Sequence, residues 1–409
     1  MNISSLCRNG MQTGNSAVYK SVPPLPRLLY IASPKSQGGI EHHSVALAAA
    51  LAERGASVQF ACTSGSYVET WCREAGLPTT TLRVRNSGDF GAAWRLAKLI
   101  QKESIGLVHA HSRRDYVVAV LGVALARRVL RCRTALVLHA HMVRPLGDPA
   151  KLNGRFFEWG ADAVVAVSGA VCDTLRHEHG FSPAFVHLIP NGVSLTRFAL
   201  PHSCEAARRR SQIRRSLGVP ENARVLGMIG RLDAKGQHQL LGIVPELLRF
   251  CPSLRIVFAG SEGKTGERAA LAALAEDGGF QDRLILTGPR TDIPDLLTAF
   301  DALVHLPTDE AFGLALAEGM AAGLPTVATA IGGCREVVQD GVTGLLVPPG
   351  DPAALVSALR RLLDPVQGTS LRQALGDCGR QSVQKNFSQD IQLQRLEALY
   401  LELCPAVSR

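Results

Sequence analysis

The run Glu310-Ala311-Phe312-Gly313-Leu314-Ala315-Leu316-Ala317-Glu318 places two carboxylates at the ends of an apolar stretch that continues to Gly323-Leu324-Pro325. A helix starting near Phe312 and closing at Gly323 would present free backbone amides and its positive dipole end just after Glu310. Such an end suits a phosphate or a leaving-group charge. Gly313 would let a ligand approach the backbone. Glu318 stands among Phe312, Leu314, Leu316 and Met320, where a bare carboxylate is costly unless it accepts hydrogen bonds. Ribose or sugar hydroxyls could donate them. Eight residues of helix rise about 12 Å, so Glu310 and Glu318 could hold opposite ends of an elongated ligand. The plainer alternative is an amphipathic helix with one capping and one exposed glutamate.

Other residues suit the same chemistry. In Gly230-Arg231-Leu232-Asp233-Ala234-Lys235-Gly236, two cations follow an apolar run that ends at Ile229. Arg231 could grip a diphosphate with paired hydrogen bonds, and Lys235 as a point charge. The bland alternative is a surface ion pair of Arg231 with Asp233. Gly38-Gly39 follow the apolar run Leu28–Ala32 and precede a helical pattern, a turn that brings backbone close to an anion. The turn is not G-x-G-x-x-G, so the dinucleotide fingerprint is absent. Gly260 to Thr265 fails as a Walker A loop, because Phe258 stands where that motif needs its first glycine.

Two further apolar runs end in one tripeptide, His109-Ala110-His111 and His139-Ala140-His141. Strand alternation puts both histidines of each pair on one face. Imidazole shuttles protons near neutral pH and also ligates metals. No carboxylate or cysteine completes a recognisable ligand set, so no metal is expected.

These residues need elements to hold them. Leu28–Ala32, Ser57–Ala61, Thr79–Val84, Gly106–Ala110, Ala135–Leu138, Ala163–Val167 and Phe185–Ile189 read as buried strands. They alternate with segments of helical period such as Glu41–Glu53, Phe90–Lys102, Tyr116–Leu130 and Ala170–His179. After Pro190-Asn191-Gly192 the pattern pauses. It restarts with Val225–Ile229, Leu254–Ala259, Arg283–Thr287, Ala302–Leu306, Thr326–Ala328 and Gly344–Val347, then closes in helices from Asp351 to Leu403. Strand–helix alternation implies parallel sheets covered on both faces. The expected fold is α/β: a loose leader over 1–26, a doubly wound domain over 27–190, a linker over 191–222, a second such domain over 223–386, and a terminal segment over 387–409. Ligands of such sheets bind beyond the carboxyl ends of the strands, here in a cleft between two facing domains.

The composition fits a globular chain of 409 residues, 46% hydrophobic and 19% charged. The net charge of +9 favours acidic partners. The densest basic run, Arg208 to Arg215, reads as the solvated face of a helix, with membrane-surface or acceptor contact as the alternative. An aromatic fraction of 5% without basic–aromatic interleaving argues against nucleic acid. Ten cysteines without a Cys-x-x-Cys pair suit free thiols in a reducing compartment. Residues 1–26 lack the apolar core of a secretory signal, and no run reaches the roughly 20 apolar residues of a membrane span. A cytoplasmic protein is expected, with peripheral contact at the inner membrane face left open.

Taken together, these motifs resemble the retaining glycosyltransferases of family 4, which have the GT-B fold. The resemblance runs from Leu28 to the tail. It rests on Glu310-x7-Glu318, the Gly-Arg-Leu-x-x-Lys-Gly turn at 230–236, the Gly38-Gly39 turn and Pro190-Asn191-Gly192-Val193. It implies a metal-independent, cofactor-free hexosyl transfer, as in polysaccharide biosynthesis. The donor would be a nucleotide sugar, most often UDP- or GDP-linked, and the acceptor a glycan, a lipid-linked group or a small molecule. Arg231 and Lys235 would bind the diphosphate. Glu310 would meet donor-sugar hydroxyls, and the amides of Phe312, Gly313 and Leu314 the sugar and phosphate. Glu318 would hold the ribose, with the base near Pro289 and Arg290. His139 would lie by the reacting carbon, with His141 as the close alternative and His111 on the acceptor side. The last helix would cross back to the first domain. A non-catalytic nucleotide-sugar-binding protein and a GT-B-fold epimerase are the other readings.

Overall fold

The computed structural model describes residues 25–34, 38–143, 154–198 and 203–405. Within these, the chain divides into two compact units, the first drawn from residues 25–192 and 389–405 and the second from 193–388. Residues 1–24 of the expected leader, Lys35 to Gln37 before the glycine pair, and 144–153 of the loop after His141 lie outside the described residues.

In the first unit, the apolar runs form β1 (Leu28–Ala32), β2 (Val58–Cys62), β3 (Thr79–Thr81), β4 (Leu107–Ala110), β5 (Ala135–Ala140), β6 (Ala163–Ala166) and β7 (Val186–Leu188). They pair in parallel in the order β3-β2-β1-β4-β5-β6-β7. Every residue of β1, β2, β4, β5 and β6 is buried. Parallel strands covered on both faces read as continuous apolar runs rather than alternating ones, which is why the sequence marks them so clearly. The order reverses between β1 and β4. The loops after these two strands therefore leave on opposite faces, and a crevice opens at the carboxyl end. The helix Gln389–Leu403 supplies Leu393, Leu396, Leu399 and Tyr400 to this unit's core.

The second unit repeats the plan with β8 (Val225–Ile229), β9 (Arg255–Ala259), β10 (Leu284–Gly288), β11 (Ala302–His305), β12 (Thr326–Thr329) and β13 (Leu345–Val347). Their order is β10-β9-β8-β11-β12-β13, again parallel, with the reversal between β8 and β11. Leu240, Leu241, Val244 and Leu247 of the helix Gln237–Phe250 pack with Leu355, Leu359 and Leu362 of the helix Pro352–Leu363 in one apolar cluster with the strands.

The arginine run departs from its expected role. The helix Ser203–Ser216 lies in the segment expected as linker, yet it docks on the second unit. Arg214 is 1% exposed rather than part of a solvated face. It pairs with Asp301 at 2.9 Å and donates to the carbonyls of Ala299, Glu221 and Ala223. Arg210 joins the same Asp301 at 2.9 Å, and Arg209 pairs with Glu205 and Asp295. Asp301 immediately precedes β11, where the preceding helix leaves carbonyls without intrahelical partners. Arginine's five donors satisfy several of these at once. No helix among the described residues is long and apolar enough to cross a membrane.

Candidate functional site

The second sheet's reversal brings together the loop after β8, which carries Arg231 and Lys235, and the loop after β11, which carries Glu310. The backbone couples them directly: Leu306 N–H donates to Lys235 C=O at 2.9 Å. Lys235 Nζ then donates to Glu310 Oε2 at 2.6 Å, with the two side chains 22% and 13% exposed. His305, the last residue of β11, bonds the same Oε2 through Nε2 at 2.7 Å. Burial pushes the Glu310 carboxyl up. The His305 bond and the Lys235 charge outweigh it and hold the group well below the usual carboxylate range. Gly333 N–H, in the loop after β12, fixes the Glu310 carbonyl at 2.9 Å.

The helix expected to start near Phe312 is Leu314–Ala321, so Phe312 precedes it, as Lys235 precedes the helix Gln237–Phe250. The residues between are Gly236 at φ 80° and Gly313 at φ 90°, left-handed conformations that cannot continue a right-handed helix. Gly313 caps its helix with no side chain over the free amides, so those amides and the dipole end stay available. Phe312 is buried against Phe387 at 5.6 Å, and Leu314 opens the helix. Glu318 lies within this helix, partly exposed, and no described residue hydrogen-bonds its carboxyl. Burial in the apolar run pushes that carboxyl up to about 7, with Arg197 opposing.

Arg231 sits apart from the Lys235–Glu310 pair. Its Nε is 3.1 Å from Asp233 Oδ1, and its side chain is 59% exposed. The surface ion pair weighed for it is thus present. An exposed pair of this kind is worth about 0–1 kcal/mol, so a phosphate can displace it. Pro289 and Arg290 follow β10; Arg290 forms a two-bond pair with Asp292.

In the first unit, β4 and β5 present their histidines to one another. His111 Nδ1 and His141 Nε2 are 3.0 Å apart, and His139 Nδ1 and His109 Nε2 are 3.2 Å apart. The His139 and His141 rings stack at 4.0 Å. Tyr400 of the last helix reaches His109 Nδ1 at 2.5 Å and Tyr30 of β1 at 2.7 Å. Burial, reinforced by neighbouring imidazoles, holds His111, His139 and His141 well below the ordinary histidine value, so these rings are neutral. Nε2 of His111 and Nε2 of His139 are buried without a hydrogen-bond partner among the described residues.

Ring nitrogens of His109, His111 and His139 lie within 4.8 Å of one another. The sequence could not offer that grouping as a ligand set, because it is assembled from two strands. Both nitrogens of His109 are already engaged, and no carboxylate or thiolate belongs to the group.

Gly38 caps the helix Gly39–Glu53 in extended conformation, with no side-chain bond to the helix start. A Cβ at Gly38 would run into Glu41 Oε2, while Gly39 faces open space. Just after β1, Asp115 accepts from Ser33 N–H at 2.8 Å and from the Ser33 hydroxyl. Burial pushes Asp115 up to about 6 against those bonds.

Sequence reasoning missed His305, Tyr400, Asp115 and Gly332-Gly333. The glycine pair carried the same strand-then-Gly-Gly signal that singled out Gly38-Gly39. His305 was visible as a polar residue closing an apolar strand. Tyr400 and Asp115 act across 370 and 82 residues, and no local pattern marks them.

Residues 37–197 match the family model described as Glycosyltransferase Family 4, and residues 209–382 match Glycosyl transferases group 1. The D-inositol 3-phosphate glycosyltransferase of Xylanimonas cellulosilytica is 34% identical over 230 residues, 53% of this chain and 53% of that protein. The chain thus spans about half the length of such relatives. N-acetyl-alpha-D-glucosaminyl L-malate synthase of Bacillus anthracis is 25% identical over 381 residues, 90% of this chain and 95% of that one. A glycosyltransferase of Rickettsia africae has a similar structure, with a TM-score of 0.81 at 21% identity over 93% of this chain and 99% of that one. Anabaena HepE in complex with UDP and glucose gives 0.78 at 23% identity over 91% and 99%. Two doubly wound units of the GT-B type, matched in turn by these two models, mean that the chain belongs to the family 4, group 1 glycosyltransferases.

Proposed function

We propose that the chain is a retaining, metal-independent glycosyltransferase that moves a sugar from a nucleotide-sugar donor to a glycan, lipid-linked or small-molecule acceptor. The observation that carries this reading is the corner at the second sheet's reversal. There an ammonium, a carboxylate and the uncapped start of the helix Leu314–Ala321 converge. The similar structures of Anabaena HepE in complex with UDP and with UDP-glucose support a nucleotide-sugar donor.

Breaking the bond from sugar to phosphate sends its electron pair to the diphosphate and leaves positive character on the ring. Arg231, Lys235 and the amides of Phe312, Gly313 and Leu314 receive the negative charge as preorganised donors. Glu310 keeps its charge and orients sugar hydroxyls. Glu318 accepts from the ribose, and Pro289 and Arg290 flank the base. His139 serves the reacting carbon, with His141 and His111 toward the acceptor. The acceptor hydroxyl forms the new bond on the face that the diphosphate leaves and passes its proton to the departing diphosphate oxygen, giving retention. Unbridged cysteines such as Cys62, Cys72, Cys172, Cys251 and Cys334 support a cytoplasmic setting. No metal or cofactor enters the scheme, so EDTA should leave turnover unchanged.

The test is a panel of UDP-, GDP- and ADP-sugars, scored for hydrolysis and thermal stabilisation with the full chain. One nucleotide class should stabilise the protein, and Arg231→Ala and Lys235→Ala should weaken that response. Unchanged turnover in both variants would remove the site assignment.

A further inference from the structure

We propose that His305 is a positioning residue: its Nε2–H holds Glu310 in its sugar-binding orientation independently of Lys235. The inference rests on the donor-site reading above.

The strand β11 is Ala302-Leu303-Val304-His305, buried throughout. A fully buried imidazole closing an apolar strand costs desolvation that an aliphatic residue would avoid. Its partner is Glu310, at 2.7 Å from Nε2. An ionised carboxylate only accepts hydrogen bonds, so Nε2 must carry the proton. The chemistry of the partner therefore fixes the tautomer. Lys235 Nζ occupies the same oxygen at 2.6 Å. With both donors on Oε2, Oε1 is left for a hydroxyl of the ligand.

The two donors differ in what a ligand does to them. Lys235 carries its ammonium on a four-carbon stem, placed where a diphosphate would share it, and each phosphate contact weakens its pull on Glu310. His305 is fixed at the end of the sheet, is disfavoured as a cation by burial, and gives its Nε2–H to the carboxylate. It keeps Oε2 in place while the lysine's charge is redistributed. Cys334, with its thiol pushed up to about 12, is the other titratable neighbour of Glu310 and stays neutral. A positioning residue of this kind acts on the sugar end and leaves the phosphate contacts intact.

His305→Leu keeps the bulk and removes the donor, whereas His305→Gln can return an N–H near the Nε2 position. With UDP-glucose, GDP-mannose and ADP-glucose as probes, His305→Leu should lower kcat about 10–100-fold, the loss of one hydrogen bond to a charged group. The donor KM should stay within about threefold, and His305→Gln should recover most of the loss, since the charge-assisted bond is restored. Equal defects in the two variants, or a defect confined to KM, would overturn the proposal. A second measurement needs no substrate. In ring-nitrogen NMR spectra, the His305 Nε2–H signal should persist in Lys235→Met and disappear in Glu310→Ala. Its disappearance in Lys235→Met would overturn the proposal even if the donor reading stands. Absence of any nucleotide-sugar response, with that signal pattern intact, would instead overturn the donor reading.

Discussion

Replacing Glu318 with glutamine removes a carboxyl whose surroundings disfavour its charge. That carboxyl moves from 4.5 to about 7 on folding, because the apolar helix around it strips away water, with Arg197 giving partial relief. Below pH 4.5 the group is protonated in both folded and unfolded chains and contributes nothing. Between 4.5 and 7 the unfolded chain ionises first, so stability falls as pH rises; above 7 the full cost is present. At about 1.4 kcal/mol per pH unit the shift corresponds to roughly 3 kcal/mol, and the partial exposure of the side chain reduces this to about 1–2 kcal/mol. Glu318→Gln should therefore stabilise the protein by about that much at pH 8 and by almost nothing at pH 4. Denaturant melts at the two pH values measure the difference. The same substitution should weaken nucleotide binding, since ribose hydroxyls donate better to a carboxylate than to an amide oxygen. Binding should favour the ionised group, so wild-type affinity should rise from pH 6 to pH 8, and Glu318→Gln should flatten that rise. A variant that is less stable at pH 8, or equally stabilised at both pH values, would refute the burial argument.

Lys235→Ala should raise the nucleotide-sugar KM roughly 10–100-fold by removing a charge-assisted phosphate contact, as read in steady-state kinetics. Asp301→Ala leaves the buried Arg214 without its carboxylate and should cost about 3–5 kcal/mol in denaturant unfolding; a loss below about 1 kcal/mol would contradict the ion-pair account. His139→Ala should leave nucleotide binding intact by calorimetry while turnover falls at least about tenfold, and a pure binding defect would move this histidine off the reacting carbon.

The strands were legible because parallel sheets buried on both faces demand unbroken apolar runs, as in Leu28–Ala32 and Val225–Ile229. The helix start at Leu314 was read too early, because a glycine in left-handed conformation looks, in sequence, like any glycine near a helix. The Glu310 and Lys235 pair was legible as two motifs but not as a contact. Their closeness follows from the order β8-β11 in the sheet. Arg214 misled because arginine is normally a surface residue. Its burial depends on Asp301 and the Ala299 carbonyl, 87 and 85 residues along the chain, together with the nearby carbonyls of Glu221 and Ala223. Long-range polar partners of this kind, like Tyr400 with His109, leave no periodic trace.

The central claim is that the Lys235–Glu310 corner receives the diphosphate of a nucleotide sugar. The most direct measurement is a calorimetric titration of the full chain with UDP, GDP and ADP, repeated with Lys235→Ala. Saturable binding of one nucleotide by the wild type, weakened at least about tenfold in the variant, is the predicted result. Equal affinity of the two proteins for that nucleotide would contradict the claim.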